Sequence, residues 1–87
     1  MANYRLVFRK SVSKDLRRIP NQDVARILRR MEGLLDNPRP DDSEKLSGQA
    51  RYRIRLRVCR VIYELEDERL VVTVVKVGHR NNAYRRR

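Results

Sequence analysis

The sequence predicts an α+β domain in which helices cover one side of a sheet, and three observations lead there. Apolar residues recur every second position near the N-terminus, at helical spacing from about residue 12 to residue 35, and every second position again from residue 51. With 87 residues the chain is the size of one small domain, so residues 1–87 read as a single unit with one helix layer on one sheet.

Residues 3–8 place Tyr4, Leu6 and Phe8 on one face and Asn3, Arg5 and Val7 on the other, which predicts a first strand. Ser11 or Ser13 is expected to cap a short helix carrying Val12, Leu16 and Ile19, and Pro20 discourages its continuation. Asn21 is expected to cap a second helix, in which Val24, Ile27, Leu28, Met31, Leu34 and Leu35 make one apolar stripe suited to a sheet. Residues 37–43 carry two prolines and several turn formers and read as a surface loop. From residue 51, Arg51, Arg53, Arg55 and Arg57 alternate with Tyr52, Ile54, Leu56 and Val58 in a strand with one apolar face and one arginine face.

A further strand puts Val61, Tyr63 and Leu65 opposite Arg60, Ile62 and Glu64, and the acidic residues 66–68 turn the chain. Residues 70–77 are almost continuously apolar, as expected for an interior strand covered on both faces and ended by Gly78. The order is β-α-α-β-β-β plus a short C-terminal segment. Tyr4, Tyr52 and Tyr63 fall on apolar phases and are expected in the core.

The composition narrows the partners. Lysine and arginine total 22 against 11 acids, a formal charge of +11, which points to a polyanion and to nucleic acid first. An acidic binding protein would relieve the same self-repulsion. Apolar runs are too short to span a membrane, and no apolar signal region opens the sequence, so a cytoplasmic location is expected. Cys59 is the sole cysteine and has no Cys-His cluster around it, so no disulfide, zinc site or other cofactor is expected. The acids gather in turns rather than as a metal-nuclease cluster.

Side chains two apart on a strand project together, so Arg53 and Arg55 form a cationic pair, and a hairpin partner would add Arg60. Arg80 and Tyr84 follow the last strand and would complete the cluster if the chain end crosses that face. Guanidinium groups match phosphate with forked hydrogen bonds and stabilise added negative charge, yet they cannot remove a proton. Cleavage through a ribose 2′-hydroxyl needs a base and an acid, for which His79, Tyr84 and Lys76 are the titrating candidates. Histidine ordinarily titrates near pH ~6.5 and tyrosine near ~10, which surrounding arginines would lower. The plainer readings are a solvated arginine face, a surface histidine and a cysteine that only fills space.

Three segments in order carry a resemblance over nearly the whole chain. They are Lys14-Asp15-Leu16-Arg17-Arg18-Ile19-Pro20, then Leu46-Ser47-Gly48 leading to Tyr52-Arg53-Ile54-Arg55-Leu56-Arg57 and Arg60-Val61-Ile62-Tyr63, then Val77-Gly78-His79-Arg80 with Tyr84. Together they resemble the RelE/ParE toxin superfamily, specifically RelE-like messenger-RNA interferases of type II toxin–antitoxin systems. The resemblance implies an antiparallel sheet with a helical hairpin on one face and an RNA site on the other. It implies a metal-independent endoribonuclease that cleaves messenger RNA in the A site of the 70S ribosome, held in check by a RelB-like antitoxin.

The family's two basic positions of the first long strand fall on Arg53 and Arg55, lysines in its best-known member, and an arginine is a poor proton acceptor. The next family arginine falls on Arg60, and the late arginine and tyrosine on Arg80 and Tyr84. These assign phosphate binding to Arg60 and Arg80, charge stabilisation to Arg53 and Arg55, and base or nucleotide-orienting work to Tyr84, with His79 a second candidate for proton transfer. The alternatives are a ParE-like inhibitor of DNA gyrase, whose members generally lack this basic and tyrosine set, and a non-catalytic basic RNA-binding protein.

Overall fold

In a computed structural model that describes residues 3–46, 48 and 50–79, seven elements follow one another. They are β1 (Arg5–Phe8), α1 (Lys10–Arg17), α2 (Asn21–Gly33), β2 (Glu44–Leu46), β3 (Arg51–Leu56), β4 (Cys59–Glu66) and β5 (Val71–His79). The strands form one sheet in the order β1-β5-β4-β3-β2, and both helices pack on one face of it. The expected α+β architecture is therefore present; the C-terminal segment after His79 lies outside the described residues.

Two features go beyond the expected sheet. β1 pairs in parallel with β5, Arg5 opposite Val71 through Phe8 opposite Val74, while every other pairing is antiparallel. The meander β3-β4-β5 leaves one edge of β5 open, and β1 fills it before the chain crosses into the helices. β2 is the other addition, three residues too short to display a period, recruited by pairing Glu44 with Arg53 and Leu46 with Arg51.

The helices start earlier than their polar residues suggest. Arg9, in extended conformation, precedes α1 and makes no side-chain cap, so Ser11 and Ser13 lie inside the helix, where the Ser13 hydroxyl donates to the Lys10 carbonyl. Pro20 occupies the cap of α2, and its carbonyl receives the amides of Asp23 and Val24. Proline fixes φ in advance, which suits it to this corner, and Asn21 becomes the first helical residue.

From the predicted stripe of α2, Ile27, Met31 and Leu34 are fully buried, whereas Leu28 at its margin is exposed. They meet Val12 and Ile19 above Ile54, Val61, Tyr63, Val72 and Val74 of the sheet. Burying each large aliphatic side chain here is worth about 1.5–3 kcal/mol against leaving it in water. Tyr4, Tyr52 and Tyr63 are core residues as expected.

The valine run of β5 has a different origin from burial on both faces. Ile62 pairs with Lys76, but Tyr63 pairs with Val74, so Val75 is an extra residue in a bulge. The bulge resets the alternation: Val72 and Val74 face the helices before it, and Val77 and His79 face them after it. The opposite face of β5 is only partly covered, with Thr73 half-buried and Lys76 exposed.

Because β1 ends at Phe8, β5 has no strand neighbour on that side beyond Val74 among the described residues. There α1 takes over, and the Asp15 carboxylate accepts the Val77 amide at 3.1 Å. A part-buried backbone amide beyond the reach of β1 is thus satisfied by a charge.

The proline loop is held by polar groups. Arg39 Nε donates to the Tyr52 hydroxyl at 2.9 Å, and its Nη2 donates to Asp67 at 2.7 Å. The other Asp67 oxygen accepts from the Tyr4 hydroxyl at 2.7 Å. Hydrogen bonds from Arg39 and then Tyr4 hold the Asp67 carboxyl below the usual carboxylate range, and the Asp67 bond in turn raises Tyr4. Tyr63 stacks on Tyr52 and donates to the Pro38 carbonyl at 2.7 Å; burial pushes its phenol up.

Candidate nucleic-acid interface

Cross-strand partners point to the same side of a sheet, so the register fixes what stands together on the helix-free face. One row reads Arg55, Arg60, Gly78, and the next reads Glu44, Arg53, Ile62, Lys76. A third reads Leu46, Arg51, Glu64, Thr73, Val7. The structure therefore unites Arg53, Arg55 and Arg60, and it adds Lys76 on the same face.

The arginines differ in what they hold. Arg53 donates through Nε to Glu44 at 3.1 Å and again through Nη2, which keeps the Glu44 carboxyl below its ordinary range. Arg51 is bound to Glu64 at 2.7 Å, and Arg9 approaches the same carboxylate at 3.6 Å. Among the described residues neither Arg55 nor Arg60 makes an ion pair, so their charge is available to an incoming anion. Acids at the third row and the β2 edge thus leave Arg55 and Arg60 at the end of the β3–β4 hairpin, with Lys76 beside them, as the cations of this face that make no ion pair among the described residues.

An open depression of about 250 Å³ lies at that end, lined by Arg55, Arg57, Val58, Cys59 and Arg60. Leu56 pairs with Cys59, so Arg57 and Val58 form the turn, with Arg57 at φ 53. The predicted uninterrupted arginine alternation stops at Leu56 for this reason, and Arg57 sits at the rim rather than in the rows. Next to Arg60 the row ends in Gly78, where an added Cβ would meet nothing within 4 Å among the described residues. Gly78 is thus part of the strand and leaves the floor beside Arg60 open to a phosphate.

His79 stands elsewhere. Its side chain is 5% exposed on the helix side of the sheet, with Nε2 3.4 Å from Asp23 Oδ2, so the structure does not bring it to the arginines. The Val75 bulge is the cause, since unbroken alternation from Val74 would put residue 79 on the arginine face. Arg80 and Tyr84 lie outside the described residues. Cys59 is buried, and burial followed by the Asp23 charge pushes its thiol up, which argues against a nucleophile.

Sequence reasoning passed over Glu44 and Gly78. A three-residue strand leaves no periodic trace, and a glycine after valines looks like a stop signal. Their signals exist only in the register. What the face can do chemically is bind phosphates and stabilise added negative charge; its arginines cannot serve as a base.

A helical hairpin backing a sheet whose far side concentrates arginine defines a small cationic α+β domain, and its likeness to known proteins gives its family. A family model described as the ParE toxin of the type II toxin–antitoxin system parDE matches residues 6–84, and the chain belongs to that toxin family. The solved structures it is similar to include RelE toxins. In a RelE–RelB complex from Pyrococcus horikoshii OT3, the match is 32% identical, covers 92% of this chain and 97% of that one, and has a TM-score of 0.80. The isolated Escherichia coli RelE toxin is 30% identical over 87% of this chain and 83% of its own, with a TM-score of 0.76. A RelE-like toxin protein of Escherichia coli is 26% identical over 82 residues, 92% of this chain and 86% of that protein. The protein is a RelE-like toxin of a type II toxin–antitoxin system.

Proposed function

We propose that this toxin is a ribosome-dependent endoribonuclease that cuts messenger RNA in the ribosomal A site, with arginines supplying the positive charge of the reaction. The observation that carries the reading is the Arg55–Arg60–Gly78 row beside Arg53, whose Arg55 and Arg60 make no ion pair among the described residues and which lies open above its glycine. The ribose 2′-oxygen attacks the adjacent phosphorus, its proton passes to a base, the bond from phosphorus to the 5′-oxygen breaks, and that oxygen takes a proton. The products are a 2′,3′-cyclic phosphate and a 5′-hydroxyl.

Arg60 binds the scissile phosphate with Arg80, Arg53 and Arg55 stabilise the charge that builds on it, and Tyr84 serves as base or orients the nucleotide. His79 has no part in this assignment because of its place behind the sheet. The ribosome supplies substrate positioning that an open face cannot. A RelB-like antitoxin is the cognate partner, as RelB is for the toxin of the Pyrococcus horikoshii complex. Exposed Phe8 and Leu28 offer it apolar contact, and the +11 charge favours acidic segments. Gyrase inhibition is the less favoured reading, given the RelE relatives and the assembled arginines.

Primer extension on messenger RNA in a reconstituted translation reaction tests this, comparing wild type, Arg60→Ala, Arg80→Ala and a ribosome-free control. Breaks within codons that need ribosomes and vanish in both variants are expected. Intact message in every lane, with supercoiling by purified gyrase inhibited instead, would replace the nuclease by a gyrase inhibitor.

A further inference from the structure

Directly behind the arginine row, on the helix side, three side chains of different metal-binding chemistry converge. Cys59 opens β4 and pairs across the ladder with His79 at the end of β5, so both side chains point toward the helices. Asp23, in the first turn of α2, comes down onto them. The Cys59 sulfur, a His79 ring nitrogen and an Asp23 carboxylate oxygen all lie within 4.8 Å of one another. Cys59 is 2% exposed and the Asp23 side chain 17%.

We propose that Asp23, Cys59 and His79 are the protein ligands of a single zinc-class transition-metal ion. The donor set is one soft thiolate, one imidazole and one carboxylate, which suits zinc and its neighbours and not the oxygen-seeking magnesium or calcium. Tetrahedral zinc with bonds of about 2.0–2.3 Å spaces its donors roughly 3.3–3.8 Å apart. The His79–Asp23 separation of 3.4 Å already lies in that window, and the sulfur needs only a side-chain adjustment to join it. A fourth position is left for water or another group.

The three ligands are distant in sequence, so no metal-binding spacing announces them; the β4–β5 register and the seat of α2 assemble them. The ion's place indicates its task. Cys59 and His79 form the ladder pair next to Arg60 and Gly78, so a metal there clamps the back of the row whose front holds the free arginines. It also fastens the start of α2 to the sheet. It braces the site and does not touch the reacting phosphate, so the inference is independent of which polyanion the toxin acts on.

The test uses tag-free full-length protein, stripped with chelator and titrated with cobalt(II) and then zinc(II). One equivalent of cobalt should give tetrahedral visible bands and a near-ultraviolet thiolate-to-cobalt transition, and zinc should displace it. Cys59→Ser should abolish the thiolate band, and Asp23→Asn and His79→Gln should each weaken binding at least about tenfold. Circular dichroism confirms that each variant is folded, and zinc should raise the melting temperature of wild type but not of Cys59→Ala. Absence of saturable binding, a cobalt spectrum without the thiolate band, or wild-type affinity in Asp23→Asn and His79→Gln would overturn the site.

Discussion

If the arginine face binds RNA as proposed, removing Arg60 should change the salt dependence of that binding by an amount that the ion pairing of the face dictates. Each arginine that neutralises one phosphate of a single strand adds about 0.7 to the slope of log affinity against log salt. Arg60 has no ion pair to surrender among the described residues, so Arg60→Ala should lose the whole increment. Between 50 and 200 mM salt, the advantage of wild type over Arg60→Ala should then shrink about 2.6-fold, and over a triple alanine variant at Arg53, Arg55 and Arg60 about 18-fold. Arg53 must leave Glu44 before it binds phosphate, so Glu44→Gln should tighten binding, by less than about fivefold because ion pairs of exposed side chains are weak. Fluorescence anisotropy with a labelled single strand across a salt series reads all of these. An unchanged slope in Arg60→Ala, with a reduced slope in Arg29→Ala on the outer side of α2, would move the RNA surface to the helices and refute the register argument.

Other consequences concern stability. Asp15→Ala should destabilise the fold by about 1.5–3 kcal/mol in urea melts, since a charged acceptor is withdrawn from the Val77 amide on the side of β5 that β1 does not reach. Leu70 sits exposed at φ 55, so Leu70→Gly should raise stability by about 1 kcal/mol through relief of left-handed strain, measured by the same melts. Asp67 has a folded pKa depressed below its ordinary 3.8, chiefly by Arg39, so its contribution is complete above that value. As pH falls through the depressed folded value, the unfolded chain binds its proton first and the contribution disappears. Arg39→Gln should therefore flatten the loss of stability below about pH 4, read from thermal melts across an acid series.

What could be read from the residues was whatever repeats along one element. The alternation of arginine with Tyr52, Ile54 and Leu56 fixed both the core and the cationic side of β3, and the stripe of α2 identified Ile27, Met31 and Leu34. Features that depend on how two distant segments meet left no such trace. The Val75 bulge reverses the facing of everything after it, so Gly78 joins the arginine row while His79 swings behind the sheet. Asp15 stands in the sequence only as one residue of the first helical segment, and its value lies in a strand edge 62 residues away. Pro20 and Arg9, rather than the expected serines and asparagine, open the helices because the chain enters each one from a tight corner.

The parallel seam between β1 and β5 has a bearing on synthesis. The first strand made is completed by the last one described, so the segment with Val71, Val72, Thr73 and Val74 must be available before residues 5–8 find their ladder. Joining segments so far apart in the chain carries a large loop-closure cost, so this seam is expected to form late, which a stopped-flow comparison of wild type with a Val7→Ala variant would check. A chain released early from the ribosome, anywhere short of Val71, lacks both the seam and the Arg60–Gly78 pairing. Truncated products that stop before Val71 should therefore be harmless, and the toxin comes into being only once β5 has been made.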